Sequence, residues 1–213
     1  AEREIVRQKL PIVIVPDLPD DFTDTLDYLI RRNYFEVRSI SENDKNRTDQ
    51  YKAEYERIKL KSNYSSIDDY LKSLNMTAKL NPFTAEDAER ISQLSQRSNQ
   101  FNLRTVRYSK DDILRIMESD SYFSCSVRLI DKFGDHGLVA LAIVKLYDSH
   151  EAFLDSLLMS CRVLKRGVED LLLNKIVEEL KKRSVHNLIG EYLPTTKNGL
   201  VQTFLADHQF HYS

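Results

Sequence analysis

The sequence has few cysteines, no long apolar run and no excess of positive charge. Its two cysteines, among 213 residues, do not make a disulfide framework, so we expect a reduced, cytoplasmic setting. No apolar run approaches the roughly 20 residues that a membrane-spanning helix requires. The formal net charge of −2 argues against a general nucleic-acid-binding protein, which would carry a basic excess. The composition therefore predicts a cytoplasmic globular protein that binds neither nucleic acid nor a membrane.

Several common catalytic motifs are also absent from the sequence. The five histidines form no zinc-binding pattern, so the sequence predicts no metal site. There is no Walker loop, no dinucleotide-binding fingerprint and no G-x-S-x-G elbow. Any function must therefore be inferred from less common combinations of residues.

Glycine, proline and capping residues divide the chain into three predicted segments. Residues 1–16 read as the end of a helix followed by a short β-branched strand between prolines, and we interpret them as the tail of a preceding domain. Residues 17–80 read as a helical linker, with N-terminal capping sequences at Ser41 and Ser65. A new unit is predicted to start at Asn81. In the helix after Ser41, a narrow apolar stripe is formed by three residues: Tyr51, Tyr55 and Ile58. The stripe either lies against a neighbouring domain or, as we expect, belongs to a partly solvated linker helix.

The pattern over residues 81–213 predicts an α/β unit with the order helix, helix, strand, strand, strand, helix, strand, helix. Residues 122–130 alternate between apolar and polar, as in a strand with one wet face. Residues 138–146 are almost continuously apolar, which is typical of a central strand buried on both faces. The later elements are a strand over 153–164, a helix over 168–183, a strand over 188–193 and a helix over 200–207. We expect a mixed central sheet flanked by helices.

A basic loop, residues 160–169, lies where the third predicted strand becomes a helix. It contains Arg162, Lys165, Arg166 and Gly167. A helix N-terminus presents unpaired N–H groups and a partial positive charge, so cations there are mildly unfavourable. One explanation is an anionic ligand such as a phosphate or pyrophosphate. The alternative is that the cations simply point into water.

Cysteine and histidine offer two weak catalytic candidates. Cys161 stands in phase with the apolar residues of the predicted strand, so it is either a small buried residue or, given the nearby cations, a nucleophile. Cys125 falls on the apolar face of its strand and is expected to be structural. His136 lies between two glycines in a predicted turn, where it is either a catalytic base or an exposed turn residue.

A polar run around residue 100 is the other candidate for recognition. It contains Asn99, Gln100 and Asn102, and Arg107 follows shortly after. Amide side chains both donate and accept hydrogen bonds, so they suit a pocket for amide or hydroxyl groups. Hydrogen bonds within the loop explain these residues equally well.

Five stretches of the sequence together resemble the C-terminal half of the FkbH family, in the family's order. They are residues 97–103, 107–109, 131–137, 160–169 and 194–198. Residues 1–19 resemble the end of the family's haloacid-dehalogenase-like domain through five residues: Glu4, Arg7, Pro11, Pro16 and Pro19.

The resemblance implies a two-domain parent, whose phosphatase-like domain would be missing from this chain. That domain handles a phosphorylated three-carbon acid, and its glyceryl group passes to the phosphopantetheine thiol of an acyl carrier protein. The half present here is similar to the GNAT acyltransferase fold. The resemblance therefore implies an acyltransferase-like domain that binds phosphopantetheine, as an acyl carrier protein or coenzyme A. The alternatives are a non-catalytic module that docks the carrier protein and a purely architectural domain.

The resemblance also assigns residues. In the GNAT fold the strand-to-helix loop, R/Q-x-x-G-x-G/A, cradles a phosphate, and Arg162 and Gly167 match its first arginine and second glycine. Lys165 stands in the place of the first glycine, and Asn198 matches a later asparagine. The implied phosphate ligands are Arg162, Lys165, Arg166, Asn198 and the N–H groups of Gly167, Val168 and Glu169. Our acyltransferase hypothesis, and not the resemblance, adds the remaining roles: Cys161 would carry the acyl group with His136 as its base, and the acyl pocket would use Asn99, Gln100, Asn102 and Arg107.

Overall fold

The computed structural model describes residues 2–9, 14–32, 42–147 and 150–211, and the chain divides into two compact units, Ala1–Asp49 and Gln50–Ser213. The helices are α1 (Glu2–Lys9), α2 (Thr25–Arg31), α3 (Glu42–Lys61), α4 (Ile67–Ser73), α5 (Ala88–Arg97), α6 (Lys110–Glu118), α7 (Val168–Lys182) and α8 (Phe204–Asp207). The strands are β1 (Thr77–Pro82), β2 (Phe101–Asn102), β3 (Tyr122–Asp131), β4 (Gly134–Leu146), β5 (Glu151–Met159) and β6 (Asn187–Gly190). None of the helices in these described ranges is long and apolar enough to span a membrane.

The first unit contains α1, a 3₁₀ turn at Phe22–Asp24 and α2. Arg7 joins α1 to the segment that follows it, because Nη2 donates to the carbonyl of Val15 at 2.8 Å and to Asp17 at 2.7 Å. Of the strand predicted between the prolines, residues 10–13 lie outside the described residues. Residues 14–16 form no strand.

The second unit is built on one six-stranded mixed sheet. Along the sheet the order is β1, β3, β4, β5, with antiparallel pairing throughout. The outer edge of β5 is shared by two short strands. The parallel strand β6 pairs with residues 151–154 of β5, and the antiparallel strand β2 pairs with Leu158 and Met159. As a result, β2 covers the edge of β5 beyond the point where β6 pairs with it.

Helices cover both faces of this sheet, which explains why β4 is apolar along most of its length. Leu141 and Ile143 of β4 pack with Ile91 of α5 and Ile113 of α6. On the other face, a second core joins the sheet to α7 and α8. The buried residues of β4 therefore alternate between two hydrophobic layers.

The structure confirms the predicted long central strand and the helix that becomes α7, but it moves several boundaries. The predicted start of the second unit at residue 81 falls inside β1, an edge strand of polar composition that gave little periodic signal. The strand predicted over 153–164 ends at Met159. The prediction was too long because Val163, which is buried in the 3₁₀ turn, continues the apolar pattern of the strand. The last predicted helix is a 3₁₀ turn, Gly199–Val201, followed by α8.

The stripe predicted on α3 does not form a buried face. Tyr55 and Ile58 are exposed, and the side chain of Tyr51 lies outside the described residues. The buried residue on this part of α3 is Arg57, which is charged. The exposure of Tyr55 and Ile58 agrees with the expected partly solvated helix and not with a stripe packed against a neighbouring domain.

Candidate anion-binding site

The basic loop connects the carboxyl end of β5 to the N-terminus of α7. The N–H of Ser160 donates to the carbonyl of Val139 at 2.7 Å, which is the last bond to the sheet before the 3₁₀ turn at Cys161–Val163. Lys165 then takes a φ of 58° and Gly167 a φ of 78°. A left-handed conformation is uncommon for a residue with a Cβ. Lys165 thus adopts a backbone conformation that favours glycine, the residue implied at that place by the resemblance.

The N-terminus of α7 is open to an incoming group. Its N-cap residue is Gly167, and no side chain caps the helix there. The N–H groups of the first helical turn have no partner within the helix. No atom beyond the neighbouring residues lies within 4 Å of the place that a Cβ on Gly167 would take. An anion can therefore approach this end of the helix closely.

The carboxylate of Glu169 already accepts a hydrogen bond from the backbone of this loop. Oε1 of Glu169 accepts a hydrogen bond from the N–H of Lys165 at 2.6 Å, while Oε2 is buried without a hydrogen-bond partner. A phosphate at the loop has to share or displace this carboxylate.

Arginines of the loop itself, of α5 and of β3 carry the positive charge around the loop. Arg162 is exposed, and its Nε lies 3.4 Å from Oγ of Ser160. Arg90 of α5 is half-buried. Burial lowers its pKa, and the positive charges of Arg162, Arg97 and Arg128 lower it further. Within the described part of the chain no acidic side chain pairs with Arg90. Arg90 thus carries a charge that an anion near Arg162 would compensate. The sequence analysis missed it, because one arginine on an amphipathic helix gives no signal.

Beneath the loop, Asp131 is the centre of a buried cluster of charged groups. Its carboxylate accepts two hydrogen bonds from Arg57, from Nε at 2.7 Å and from Nη2 at 2.8 Å. It also accepts one from Nε2 of His136 at 2.9 Å and one from the N–H of Phe133 at 2.9 Å. Burial acts to raise the pKa of Asp131, but the hydrogen bonds from Arg57 and His136 outweigh it and hold the pKa well below its usual value. Asp131 therefore stays ionised although its side chain is 0% exposed.

Arg166 belongs to this cluster rather than to the surface of the loop. Its Nη1 lies 3.5 Å from Oδ2 of Asp131, its Nη2 lies 4.0 Å from Glu54, and its side chain is 9% exposed. The predicted role of Arg166 as a phosphate ligand is corrected accordingly. Its charge is already paired inside the protein, and it anchors the loop to the carboxyl end of β3.

His136 is buried rather than exposed, and its role as a base for Cys161 stays a prediction. The turn predicted over residues 131–137 comprises only Lys132 and Phe133, because β4 already begins at Gly134. Nε2 of His136 bonds to Asp131. Burial lowers the pKa of His136, although its hydrogen bond to Asp131 acts in the opposite direction.

The lowered pKa of His136 predicts a loss of stability in weak acid. Below the unfolded-state value of about 6.5, the unfolded chain binds a proton at this histidine that the folded chain does not bind. We expect the free energy of unfolding to fall as the pH drops through that value towards the lower folded-state pKa. The change is measured by urea unfolding at a series of pH values.

The variant His136→Gln isolates this effect. It is expected to lose this part of the pH dependence, whatever its stability at neutral pH. His208, whose pKa is raised in the folded protein mainly by its hydrogen bond to Asp170 despite burial, acts in the opposite direction in both proteins. The difference between wild type and variant is therefore the quantity to compare. Equal pH dependence in the two proteins would contradict the assignment.

The two asparagines assigned to ligands are fully buried and hydrogen-bonded to the chain. Nδ2 of Asn198 donates to the carbonyls of Asn102 and Leu193, and its Oδ1 accepts from the N–H of Thr195. The side chain of Asn102 donates to the carbonyl of Ser98 and accepts from the N–H of Thr105. Neither side chain has a polar atom left to face a ligand. The predicted binding roles of Asn102 and Asn198 are corrected to structural ones.

The other predicted pocket residues are divided between the surface and the end of α5. Arg107 donates to the carbonyls of Ser95 and Ser98 and to Oδ1 of Asn99, so it closes the C-terminal end of that helix. Gln100 is exposed. The structure therefore brings Asn99 and Arg107 together but leaves Gln100 apart from them.

One cysteine is buried and the other is exposed, and only the burial of Cys125 was expected. Cys125 is buried, and burial raises its pKa to about 12, which suits a structural residue. Cys161 is exposed at the start of the 3₁₀ turn, so the expectation of a buried core residue is wrong. In the described ranges, no three histidine, cysteine, aspartate or glutamate side chains come together as metal ligands.

Solved structures with the same architecture are GNAT acetyltransferases. The ribosomal-protein-S18-alanine N-acetyltransferase from Escherichia coli is 18% identical, over 64% of this chain and 79% of its own, with a TM-score of 0.50. The PaiA N-acetyltransferase from Thermoplasma acidophilum, in complex with coenzyme A, is 15% identical over 64% and 91%, with a TM-score of 0.51. A GNAT-family acetyltransferase from Staphylococcus aureus Mu50 is 9% identical over 63% and 85%, with a TM-score of 0.50.

No protein-family model matches the sequence, and no relative is found among curated proteins. The structural similarity, at these low identities, establishes the fold. The chain has the GNAT fold, and the predicted α/β class with a mixed sheet between helices is confirmed. The resemblance to the FkbH family remains a prediction.

Proposed function

We propose that this chain is an acyltransferase-like domain that binds phosphopantetheine, presented by an acyl carrier protein or by coenzyme A. In this proposal the domain aids the transfer of a glyceryl or related acyl unit from a partner phosphatase-like domain. The observation that carries the proposal is the open N-terminus of α7 beside Arg162 and Arg90. Helix N-termini bind phosphate through their free N–H groups, and nearby arginines add charge and further donors.

The residues present fit a phosphate group. The N–H groups of Val168 and Glu169 are available in the first turn of α7, and the space in front of Gly167 is open. Arg162 and Arg90 supply the positive charge. A phosphopantetheine group would present its thiol for acyl transfer, while this chain would hold and orient the phosphate. The neighbour from Thermoplasma acidophilum, which binds coenzyme A, supports this choice of ligand.

A non-catalytic docking module is the second candidate, and one observation favours it. The edge of β5 beyond β6 is already occupied by the chain. The N–H of Leu103 donates to the carbonyl of Leu157, and the carbonyl of Leu103 accepts from the N–H of Leu193. Ligands of α/β sheets commonly bind in the crevice outside the carboxyl ends of strands, and here residues 101–103 fill part of that space.

Coenzyme A binding tests the proposal. We expect coenzyme A to raise the melting temperature of wild type and to give a measurable Kd by calorimetry. The double variant Arg90→Gln/Arg162→Gln is expected to bind at least about tenfold more weakly, since one hydrogen bond to a charged group contributes about 1.5–3 kcal/mol. The matched control is Lys181→Gln/Lys182→Gln, which removes two cations at the opposite end of α7 and should bind as wild type does.

A second assay, with an acyl-coenzyme A in place of coenzyme A, decides between the two candidate functions. Release of free thiol from an acyl-coenzyme A, faster than in buffer, favours the enzyme. Binding without release favours the docking module. If coenzyme A does not bind, or if both double variants weaken binding equally, the phosphate site is rejected.

A further inference from the structure

A cavity of about 560 Å³ that is largely open to the surface lies beside α6 and the sheet, and no role has been assigned to it so far. Its lining comes from α6, from β3, from β5 and from the segment that precedes α6. The charged and aromatic side chains of the lining are Asp155, Asp112, Tyr108, Arg107, Arg115 and Tyr122. Only Arg107 was predicted as a pocket residue. The cavity thus presents both acidic and basic groups to a space large enough for a small molecule.

Asp155 occupies an irregular position in β5. Leu154 pairs with Val144 and Ser156 pairs with Ile143, so Asp155 has no partner on β4. On the other edge of β5, it falls between the residues paired with β6 and those paired with β2. An extra residue of this kind is a β-bulge, and bulges redirect a side chain and are frequent beside functional sites. The bulge gives Asp155 an orientation that regular alternation does not dictate.

The carboxylate of Asp155 is held in place by two side chains. Nη1 of Arg104 lies 2.5 Å from Oδ1, and the hydroxyl of Tyr108 donates to Oδ2 at 2.6 Å. Burial, followed by the hydrogen bond to Asp155, raises the pKa of Tyr108 well above its usual value, so the hydroxyl keeps its proton. Arg104 is itself fixed by Glu191, at 2.7 Å from Nε. A carboxylate has about four acceptor positions, so Asp155 can accept further hydrogen bonds from a ligand.

Positive charge on the same cavity comes from Arg107 and Arg115. Arg107 uses three hydrogen bonds to close α5, and a guanidinium has five N–H groups. Arg115 is exposed and pairs with Asp112 at 2.5 Å. Because Asp155 is already paired with Arg104, a neutral hydroxyl suits it better than a second cation does. A negatively charged group suits the remaining N–H groups of the two arginines.

We propose that this cavity binds a small hydroxy acid, whose hydroxyl donates to Asp155 and whose carboxylate faces Arg107 and Arg115. The site is separate from the basic loop, and it goes beyond the proposed function by giving the chain a second ligand. Tyr108 acts as a positioning residue, because its permanent donation to Oδ2 fixes the carboxylate. Tyr122 forms part of the wall of the cavity.

Three molecules of nearly equal size test this inference by titration with NMR detection. Lactate carries the hydroxyl and the carboxylate, propionate lacks the hydroxyl, and alanine replaces it with an ammonium group. We expect lactate to bind at least about tenfold more tightly than either analogue, since one hydrogen bond to a charged group is lost or replaced. Equal binding of lactate and propionate overturns the proposal, and so does an absence of lactate binding at millimolar concentration.

Variants of the chain locate the ligand. Asp155→Asn and Tyr108→Phe are each expected to weaken lactate binding, and the second keeps the proposal testable if the first fails to fold. Asp111→Asn, an exposed position on α6, is the matched control and should bind lactate as wild type does. The double variant Arg90→Gln/Arg162→Gln should also bind lactate normally, so failure of the phosphate site and failure of this site are distinguishable. Lactate binding that survives both cavity variants overturns the assignment.

Discussion

Replacing Asp131 with alanine is expected to lower the free energy of unfolding by about 3–5 kcal/mol, the range found when one partner of a buried ion pair is removed. The reason is the charge that remains. Arg57 and Arg166 have side chains that are 5% and 9% exposed, and both point their guanidinium groups at this one carboxylate. Without it, the two buried cations keep only Glu54, a half-exposed carboxylate at 3.3 Å from Arg57 and 4.0 Å from Arg166. Urea unfolding at neutral pH measures the change.

The control for this variant is Asp120→Ala. Asp120 is exposed, and its removal is expected to change stability by less than about 0.5 kcal/mol. If the two variants lose similar amounts of stability, the cluster does not hold the second unit together as described. A large loss in Asp131→Ala alone also explains why Arg166 is unavailable to a ligand, since its charge is needed within the fold.

Replacing Asn198 with alanine is expected to cost about 3 kcal/mol, because each buried polar group left without a partner costs about 1–3 kcal/mol. The substitution orphans the carbonyls of Asn102 and Leu193, which accept from Nδ2 at 3.0 and 2.9 Å. It also removes the acceptor for the N–H of Thr195, at 2.7 Å. These bonds tie β2 to the segment after β6. Denaturant unfolding of the variant provides the measurement.

Two further substitutions distinguish this structural role from ligand binding. Asn198→Asp keeps the acceptor but directs a carboxylate oxygen at two carbonyls, so it should destabilise about as much as alanine does. Asn187→Ala, at the exposed start of β6, should have little effect. A ligand-binding asparagine would give the opposite result for Asn198→Ala, with near-normal stability and weaker binding of coenzyme A.

The sequence was most informative where a residue's role depends on its neighbours along the chain. The apolar run at 138–146 predicted the central strand, because only burial on both faces accommodates such a run. The helical spacing after Gly167 predicted α7, and the abrupt change from strand to helix predicted the basic loop. The short polar strands β1 and β2 were missed, since edge strands need little apolar periodicity.

Roles that depend on distant residues were missed or misassigned. Arg57 meets Asp131 across 74 positions, and Asn198 meets Asn102 across 96. No local pattern shows that Arg57 and Asp131 are buried together, or that every hydrogen-bonding group of Asn198 is used within the chain. Arg166 looked like a loop cation because it stands between Lys165 and Gly167, whereas its position beside Asp131 depends on the hairpin between β3 and β4.

The basic loop illustrates how the two kinds of information divide. The sequence by itself determined that three cations and a glycine stand at the N-terminus of a helix, because that follows from local patterns of charge and hydrophobicity. Only the tertiary structure decided which of these cations is buried and which lies at the surface. It buried Arg166 against Asp131, left Arg162 exposed and placed Arg90 of α5 where the charge of Arg162 lowers its pKa. The physical reason is that a buried charge needs a partner of opposite sign, and the fold, not the local sequence, supplies that partner.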